Sequence, residues 1–290
     1  MNNTQPPTRP SSPSPSPLQS PLDQIDSWPV DNFAAAIVGT DGRVVRRGDT
    51  AKVFRLASIS KILATWAILV AVEEGSVTLD SPIGQPGCTL RHLLSHAGGY
   101  SFTGDTPIAA AGTRRIYSNT GIELAANAVE RATGIPFGTY LREAVLDPLA
   151  MAATDLDGSP AAGVNSSVDD LVTMVAEITT PTLLGMDTVT LATSVHFSGL
   201  DGVVPGLGIF RPCPWGLGVE IHGAKRPHWM GTSNSPETFG HFGGAGTMLW
   251  IDPVAGVSLI ALTDRDFDEW SADALRLWPQ LSDAVVAAAR

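Results

Sequence analysis

A lysine three residues after a serine can take the proton that otherwise keeps the serine hydroxyl from attacking a carbonyl carbon. Ser58-Ile59-Ser60-Lys61 has that spacing, and the apolar run ILATWAILV follows it. Lysine is scarce in this chain, with three residues at positions 52, 61 and 225 against 15 arginines, so its placement carries information. The pattern S-x-x-K would still arise by chance about 0.24 times in a chain of this composition, which makes it suggestive rather than decisive. Residues three apart on a helix share a face. The Lys61 amine would then lie within hydrogen-bond reach of the Ser58 hydroxyl, and burial would lower its pKa toward that of a useful base. An amphipathic helix with Lys61 on its polar edge explains the same residues, and on this pattern alone the two readings stand level.

Tyr117-Ser118-Asn119 is a second cluster, expected by chance only about 0.07 times as Y-x-N. A tyrosine beside a lysine can have its phenol pKa lowered by the positive charge and act as a base, and Asn119 could hold the lysine and orient a substrate carbonyl. A loop tyrosine with an asparagine capping the next helix is the structural alternative. The third cluster, His241-Phe242-Gly243, is weak by itself because His96-Ala97-Gly98 has the same form. Only His241 precedes a predicted strand and follows the Y-x-N cluster. His92 and His96 have helical spacing but no H-E-x-x-H pattern and no third ligand, and read as structural. No G-x-S-x-G elbow is present.

Position requires elements, and the hydrophobic pattern supplies them. FAAAIVGTDGRVVRRGD predicts two strands joined at Asp41-Gly42. From Ala57 to about Gly75 the apolar residues recur at helical spacing, which puts Ser58 in the first turn of a mostly buried helix. TLRHLLSHAG and Gly121 to Thr133 predict further helices. Strand periodicity returns in WGLGVEIH, GAGTMLWID and VSLIALTD, before a helix from about Asp268 to Ala289. Strands at both chain ends with helices between them predict an α+β fold: an antiparallel sheet flanked by helices, with a helical region inserted over roughly residues 85–210.

The 290 residues, 43% hydrophobic, are enough for a substantial core. A formal charge of -11 argues against nucleic acid or an anionic membrane surface as partner. The Pro/Ser-rich stretch to residue 28 reads as a disordered tail without the apolar segment of a secretory signal, and residues 29–290 as one domain. The longest apolar run, Ile62 to Val72, is too short for a membrane span, which with the missing signal makes the cytoplasm the default expectation. Cys88 and Cys213 show no metal spacing and are expected to be free thiols.

In this order the three clusters resemble the motifs of the beta-lactamase-like serine hydrolases, a group that includes class C beta-lactamases, D-alanyl-D-alanine carboxypeptidases and related carboxylesterases. The resemblance runs from about Val53 to Arg265 and takes in TLRHLLSHAGGY, YSNTGIELAANAVERATGIPFGTYLREAVLDPLAM and GHFGGAGTMLWIDPVAGVSLIALTDR. It implies Ser58 as the acylated nucleophile, Lys61 and Tyr117 as the proton-transfer pair, and Asn119 as a ligand of lysine and substrate. It further implies an oxyanion hole built from the backbone N–H groups of Ser58 and Gly244, with His241 and Gly243 in the third motif. No metal or organic cofactor is implied. The third motif is H-F-G where the lactamases have K-T-G, so the lysine and threonine that engage a substrate carboxylate are missing. That departure favours small neutral ester or amide substrates over beta-lactams or D-alanyl peptides. The alternatives are a beta-lactamase or D-alanyl-D-alanine carboxypeptidase, and a ligand-capturing protein that stays acylated.

Overall fold

A computed structural model describes residues 19–290. In chain order the strands are β1 (Phe33–Gly39), β2 (Val44–Gly48), β3 (Val53–Arg55), β4 (Arg115–Ile116), β5 (Asp155–Leu156), β6 (Val164–Ser167), β7 (Gly202–Val204), β8 (Gly208–Phe210), β9 (Glu220–Ile221), β10 (Phe239–Gly243), β11 (Thr247–Asp252) and β12 (Val257–Thr263). The α-helices are α1 (Gln19–Leu22), α2 (Ser60–Glu73), α3 (Leu90–Leu94), α4 (Asn119–Thr133), α5 (Phe137–Leu141), α6 (Val168–Thr179), α7 (Met186–Ala192) and α8 (Phe267–Ala289).

The main sheet is antiparallel with strand order β2-β1-β12-β11-β10-β9, so both ends of the chain meet in its centre. Its central strands are covered on both faces, and they therefore read as unbroken apolar runs rather than alternating ones. Along β1, Ala34 and Ala36 face a core shared with α2, α4 and α6, while Ala35 and Ile37 face the tryptophans of α8, Trp270 and Trp278. Between β2 and β9 the chain leaves this sheet and builds the inserted region from helices and two small sheets, β3-β6-β5 and β4-β7-β8. Helix α2 runs through the middle of the first core and is buried on every side from Ser60 to Leu69. Such a helix has no solvent face on which to place a charge. The fold is the expected α+β one. Among the described residues no helix is long and apolar enough to cross a membrane, and both cysteines are buried and unpaired.

Several boundaries differ from the sequence expectations. The tail does not reach residue 28: residues 19–27 are helical, and Leu22, Ile25 and Trp28 are buried against β2 and α8. Their spacing of three is an apolar stripe that prolines and serines on either side obscure; residues 1–18 lie outside the described part. In WGLGVEIH only Glu220–Ile221 forms a ladder, together with a bridge from Trp215 to Glu220. His241 lies inside a strand, β10, rather than before one, and Gly244–Gly246 form the turn into β11.

Leu22 is wholly buried under α8. Leu22→Ala is expected to lower stability by about 2–5 kcal/mol in denaturant titration; an unchanged midpoint would mean that this segment is not part of the folded core.

Candidate active site

The approach to α2 is strained at one residue. Ala57 adopts φ +47°, a left-handed conformation that costs a residue with a Cβ of order 1–3 kcal/mol. It turns the chain from β3 into a short 3-10 turn, Ala57–Ile59, that leads into α2. Ser58 is thus presented on the turn, half-exposed, while its neighbours Ile59 and Ser60 are buried. The Ser60 hydroxyl accepts the Val164 N–H at 2.9 Å and so has a structural partner on β6.

Lys61 has no exposed surface. Its Nζ lies 3.0 Å from Ser58 Oγ, 2.8 Å from Asn119 Oδ1 and 2.9 Å from the Ala161 carbonyl oxygen. Burial pulls its pKa from 10.5 down to about 7, partly opposed by the Glu123 carboxylate. A neutral amine has two N–H donors and one lone pair. The two carbonyl oxygens accept both donors, which leaves the lone pair for the Ser58 hydroxyl proton. Of the two sequence readings, this geometry removes the polar-edge one.

The cluster around Tyr117 is assembled from three segments. Ser118 caps α4 by accepting the Gly121 N–H at 3.0 Å, so the capping role falls to Ser118, and Asn119, the first residue of the helix, is left free to reach Lys61. Burial raises the Tyr117 phenol well above its usual range despite the neighbouring Ser58 hydroxyl, which corrects the expectation of a lowered value. Lys61 Nζ sits over the face of the Tyr117 ring, 4.7 Å from its centre, rather than beside the phenol oxygen. Tyr117 Oη lies 3.3 Å from His241 Nε2, and His241 Nδ1 lies 2.6 Å from the Phe242 carbonyl oxygen. Nδ1 must carry the imidazole proton in that contact, so Nε2 accepts from the phenol. Burial, with Lys61 nearby, lowers the His241 pKa to about 3. The third motif is therefore neutral, and Tyr117 is a protonated donor.

Sequence reasoning had set His96 aside as structural. Its ring packs 4.5 Å from that of Tyr117, and its Nδ1 accepts the Ser118 N–H at 3.2 Å, so it supports the tyrosine from beneath. Trp215 packs against both Tyr117 and His241. Spacing in the sequence gives no sign of either contact.

Gly243 brings the sheet to the nucleophile turn. A Cβ there would sit 2.2 Å from the Leu56 carbonyl oxygen and 2.4 Å from Thr247 Oγ1, so only glycine lets β10 close on residues 56–57. Thr247 Oγ1 donates to that same Leu56 carbonyl at 2.9 Å. Ser58, Tyr117, His241 and Gly244 then line one cavity of about 200 Å³, with Trp215, Glu220 and Phe242 among its other walls. Glu220 is buried and held by Lys225 at 2.9 Å, His228 at 2.9 Å and Trp229 Nε1 at 2.8 Å. Burial pushes this carboxyl up, but Lys225 and His228 outweigh burial and keep it ionised. Of the seven sequence-predicted residues, Ser58, Tyr117, His241 and Gly244 line this cavity, while Lys61 and Asn119 are hydrogen-bonded behind Ser58 and Gly243 closes the strand on the nucleophile turn.

This fold is that of a class of serine hydrolases. The chain belongs to the Beta-lactamase family, whose model matches residues 33–281. Members of this family are serine hydrolases. A beta-lactamase from Mycobacterium bovis is 49% identical, with a TM-score of 0.89 over 92% of this chain and 98% of its own. Simvastatin synthase (LovD) from Aspergillus terreus shares the fold at 17% identity, with a TM-score of 0.77 over 94% of this chain and 99% of its own. An Escherichia coli (strain K12) protein named "Putative D-alanyl-D-alanine carboxypeptidase" is 24% identical over 76% of this chain and 70% of its length.

The rate at which a fluorophosphonate labels Ser58 is expected to rise with pH as one ionisation near 7. The proton-accepting form of Lys61 gains population as pH climbs through that value, while His241 and Tyr117 keep their protonation states. A profile that is flat or falling between about pH 6 and 8 would exclude Lys61 as the group that takes the proton.

Proposed function

We propose that the protein hydrolyses small neutral esters, and activated amides of similar size, through an acyl-enzyme on Ser58. The observation that carries this reading is the placement of Lys61: a buried amine near neutrality, both N–H groups turned toward carbonyl oxygens, 3.0 Å from the serine hydroxyl.

In the first half-reaction Ser58 Oγ bonds to the substrate carbonyl carbon and its proton passes to Lys61. The backbone N–H groups of Ser58 and Gly244 receive the negative oxygen; one such donor can be worth about 3 kcal/mol of barrier. As the tetrahedral species collapses, the bond to the leaving oxygen or nitrogen breaks and the proton is returned to that atom, with the Tyr117 hydroxyl as relay. Water then attacks the acyl-enzyme, giving its proton to the same base, and the carboxylic acid and free Ser58 are regenerated. Asn119 orients both the lysine and the substrate carbonyl side. None of these steps calls for a metal or an organic cofactor.

Substrate charge follows from the third motif. His241 is neutral and hydrogen-bonded within the protein, and the Glu220 carboxylate is neutralised by Lys225, so among the described residues lining the cavity there is no spare cation for a substrate carboxylate. With no cation free there, and the exposed Asp268 carboxylate also on the wall, neutral acyl groups are the best fit. A beta-lactamase activity is the second reading, favoured by the 49% identity to the M. bovis protein of that name.

Ser58→Ala is expected to reduce p-nitrophenyl butyrate hydrolysis by on the order of 10⁴-fold or more. Ser60→Ala, which leaves the Val164 N–H without its acceptor, should cost about 1–3 kcal/mol of stability yet keep most of the turnover. Activity retained by the Ser58 variant would refute the acyl-enzyme. A chromogenic cephalosporin turned over faster than the nitrophenyl ester would establish the beta-lactamase reading instead, and a single burst with a lasting mass increase on Ser58 would mean ligand capture without turnover.

A further inference from the structure

Beside the reaction cavity lies a second, larger one of about 710 Å³, lined by Phe102, Ile108, Ile116, Val203, Pro205 and Ile209 among others. Phe102, Tyr117 and Pro205 line both cavities, so the two adjoin along the wall these residues form, and Ser58 lies on the reaction-cavity side of it. Four of its apolar side chains are unusually exposed: Phe102 at 53%, Ile108 at 56%, Val203 at 48% and Ile209 at 61%. Large exposed apolar side chains gathered at one place mark a binding surface, and a volume of this size is that of a pocket for a drug-sized molecule.

The cavity is preformed. Its floor is the parallel pairing of β4 with β7, where Gly202 has no room for a Cβ against Arg115. The Arg115 guanidinium is buried, has no acidic partner among the described residues, and is spent on backbone carbonyl oxygens of three separate segments, those of Ser95, Cys213 at 3.1 Å and His196 at 2.8 Å. These bonds tie β4 to the loops before and behind it and hold the cavity wall in place.

Resting on the reading that Ser58 is acylated by an ester, we propose that this cavity holds an apolar arm of the substrate longer than a butyl group, joined directly to the scissile bond. The wall shared by the two cavities favours a substrate arm over a protein segment or a second copy of the chain, since one covalent molecule can lie in both cavities past Phe102 and Tyr117. The roughly 200 Å³ around Ser58 suffices for the reacting groups alone and leaves the larger space without any other use in the reaction.

The test is a pair of ester series measured below their micellar concentrations: p-nitrophenyl esters from butyrate to decanoate, and alkyl butyrates from propyl to decyl. In one of them kcat/KM is expected to rise by about fourfold per methylene until the cavity is full. Ile209→Asp should flatten that rise, and so should Ile108→Asp from the opposite segment, which serves if the first variant does not fold. Each variant is compared only if it unfolds at the wild-type temperature and is still labelled on Ser58 by a fluorophosphonate. Val254→Asp, an exposed valine in the turn between β11 and β12, should leave the rise intact. Flat dependence in both series, or a rise that survives both aspartates, would overturn the arm while butyrate turnover and Ser58 labelling left the esterase reading standing.

Discussion

Everything around Ser58 depends on keeping one lysine dry. Moving the Lys61 pKa from 10.5 to about 7 corresponds to about 5 kcal/mol. That is comparable to the whole net stability of an ordinary domain. The sequence meets this cost by surrounding the lysine with α2, a helix apolar on all its faces, wedged between the main sheet and α4. It also gives the neutral amine two carbonyl acceptors from two different segments, Asn119 Oδ1 and the Ala161 carbonyl oxygen, so that neither N–H is left without a partner and the lone pair faces the Ser58 hydroxyl. Remove the packing and water would return the lysine to its ordinary basicity, charged at neutral pH and useless as a proton acceptor.

The same constraint explains where the rest of the site lies. Asn119 must open α4 for its side chain to reach Lys61, so the capping task falls to Ser118. β10 must approach the nucleophile turn within van der Waals contact, so its last residue is Gly243. A glycine-rich strand end is a poor strand by propensity. It holds because β11 pairs with it along five residues and Thr247 fastens it to Leu56. The strain at Ala57 is borne at the one place where the chain must turn from strand to buried helix and still expose a hydroxyl.

Sequence carried the parts of this arrangement that are local. Ser58 and Lys61 are legible because helical spacing alone makes them neighbours, and Asn119 because it stands two residues from Tyr117. The strand runs of β1, β11 and β12 are legible because burial on both faces leaves them uninterrupted. Contacts between distant segments were not legible. The pKa direction of Tyr117 depends on burial by Trp215, His96 and His241, none of them near it in sequence. The Ala161 carbonyl that takes the second lysine proton is a backbone atom with no side-chain signature. The core role of Leu22, Ile25 and Trp28 was hidden by neighbouring composition that reads as tail, and β10 by its glycines.

The scarcity of lysine, which makes position 61 conspicuous in the sequence, has a second expression in the structure. Lys225 is also buried, and it neutralises Glu220, the one buried carboxylate on the wall of the reaction cavity. An unpaired Glu220 would favour the proton on Lys61 and raise its pKa, working against the effect of burial. Paired with Lys225 and hydrogen-bonded by His228 and Trp229, it anchors the loop after β9 to the sheet while contributing little net charge to the cavity. The neutral His241 likewise adds no charge to the cavity, where a fixed cation in its place would lower the Lys61 pKa further and attract substrate carboxylates. Two buried lysines thus divide the electrostatics of the site: one is near the pH at which it can lose its proton, and the other stays paired, so that desolvation, partly opposed by Glu123, sets the first.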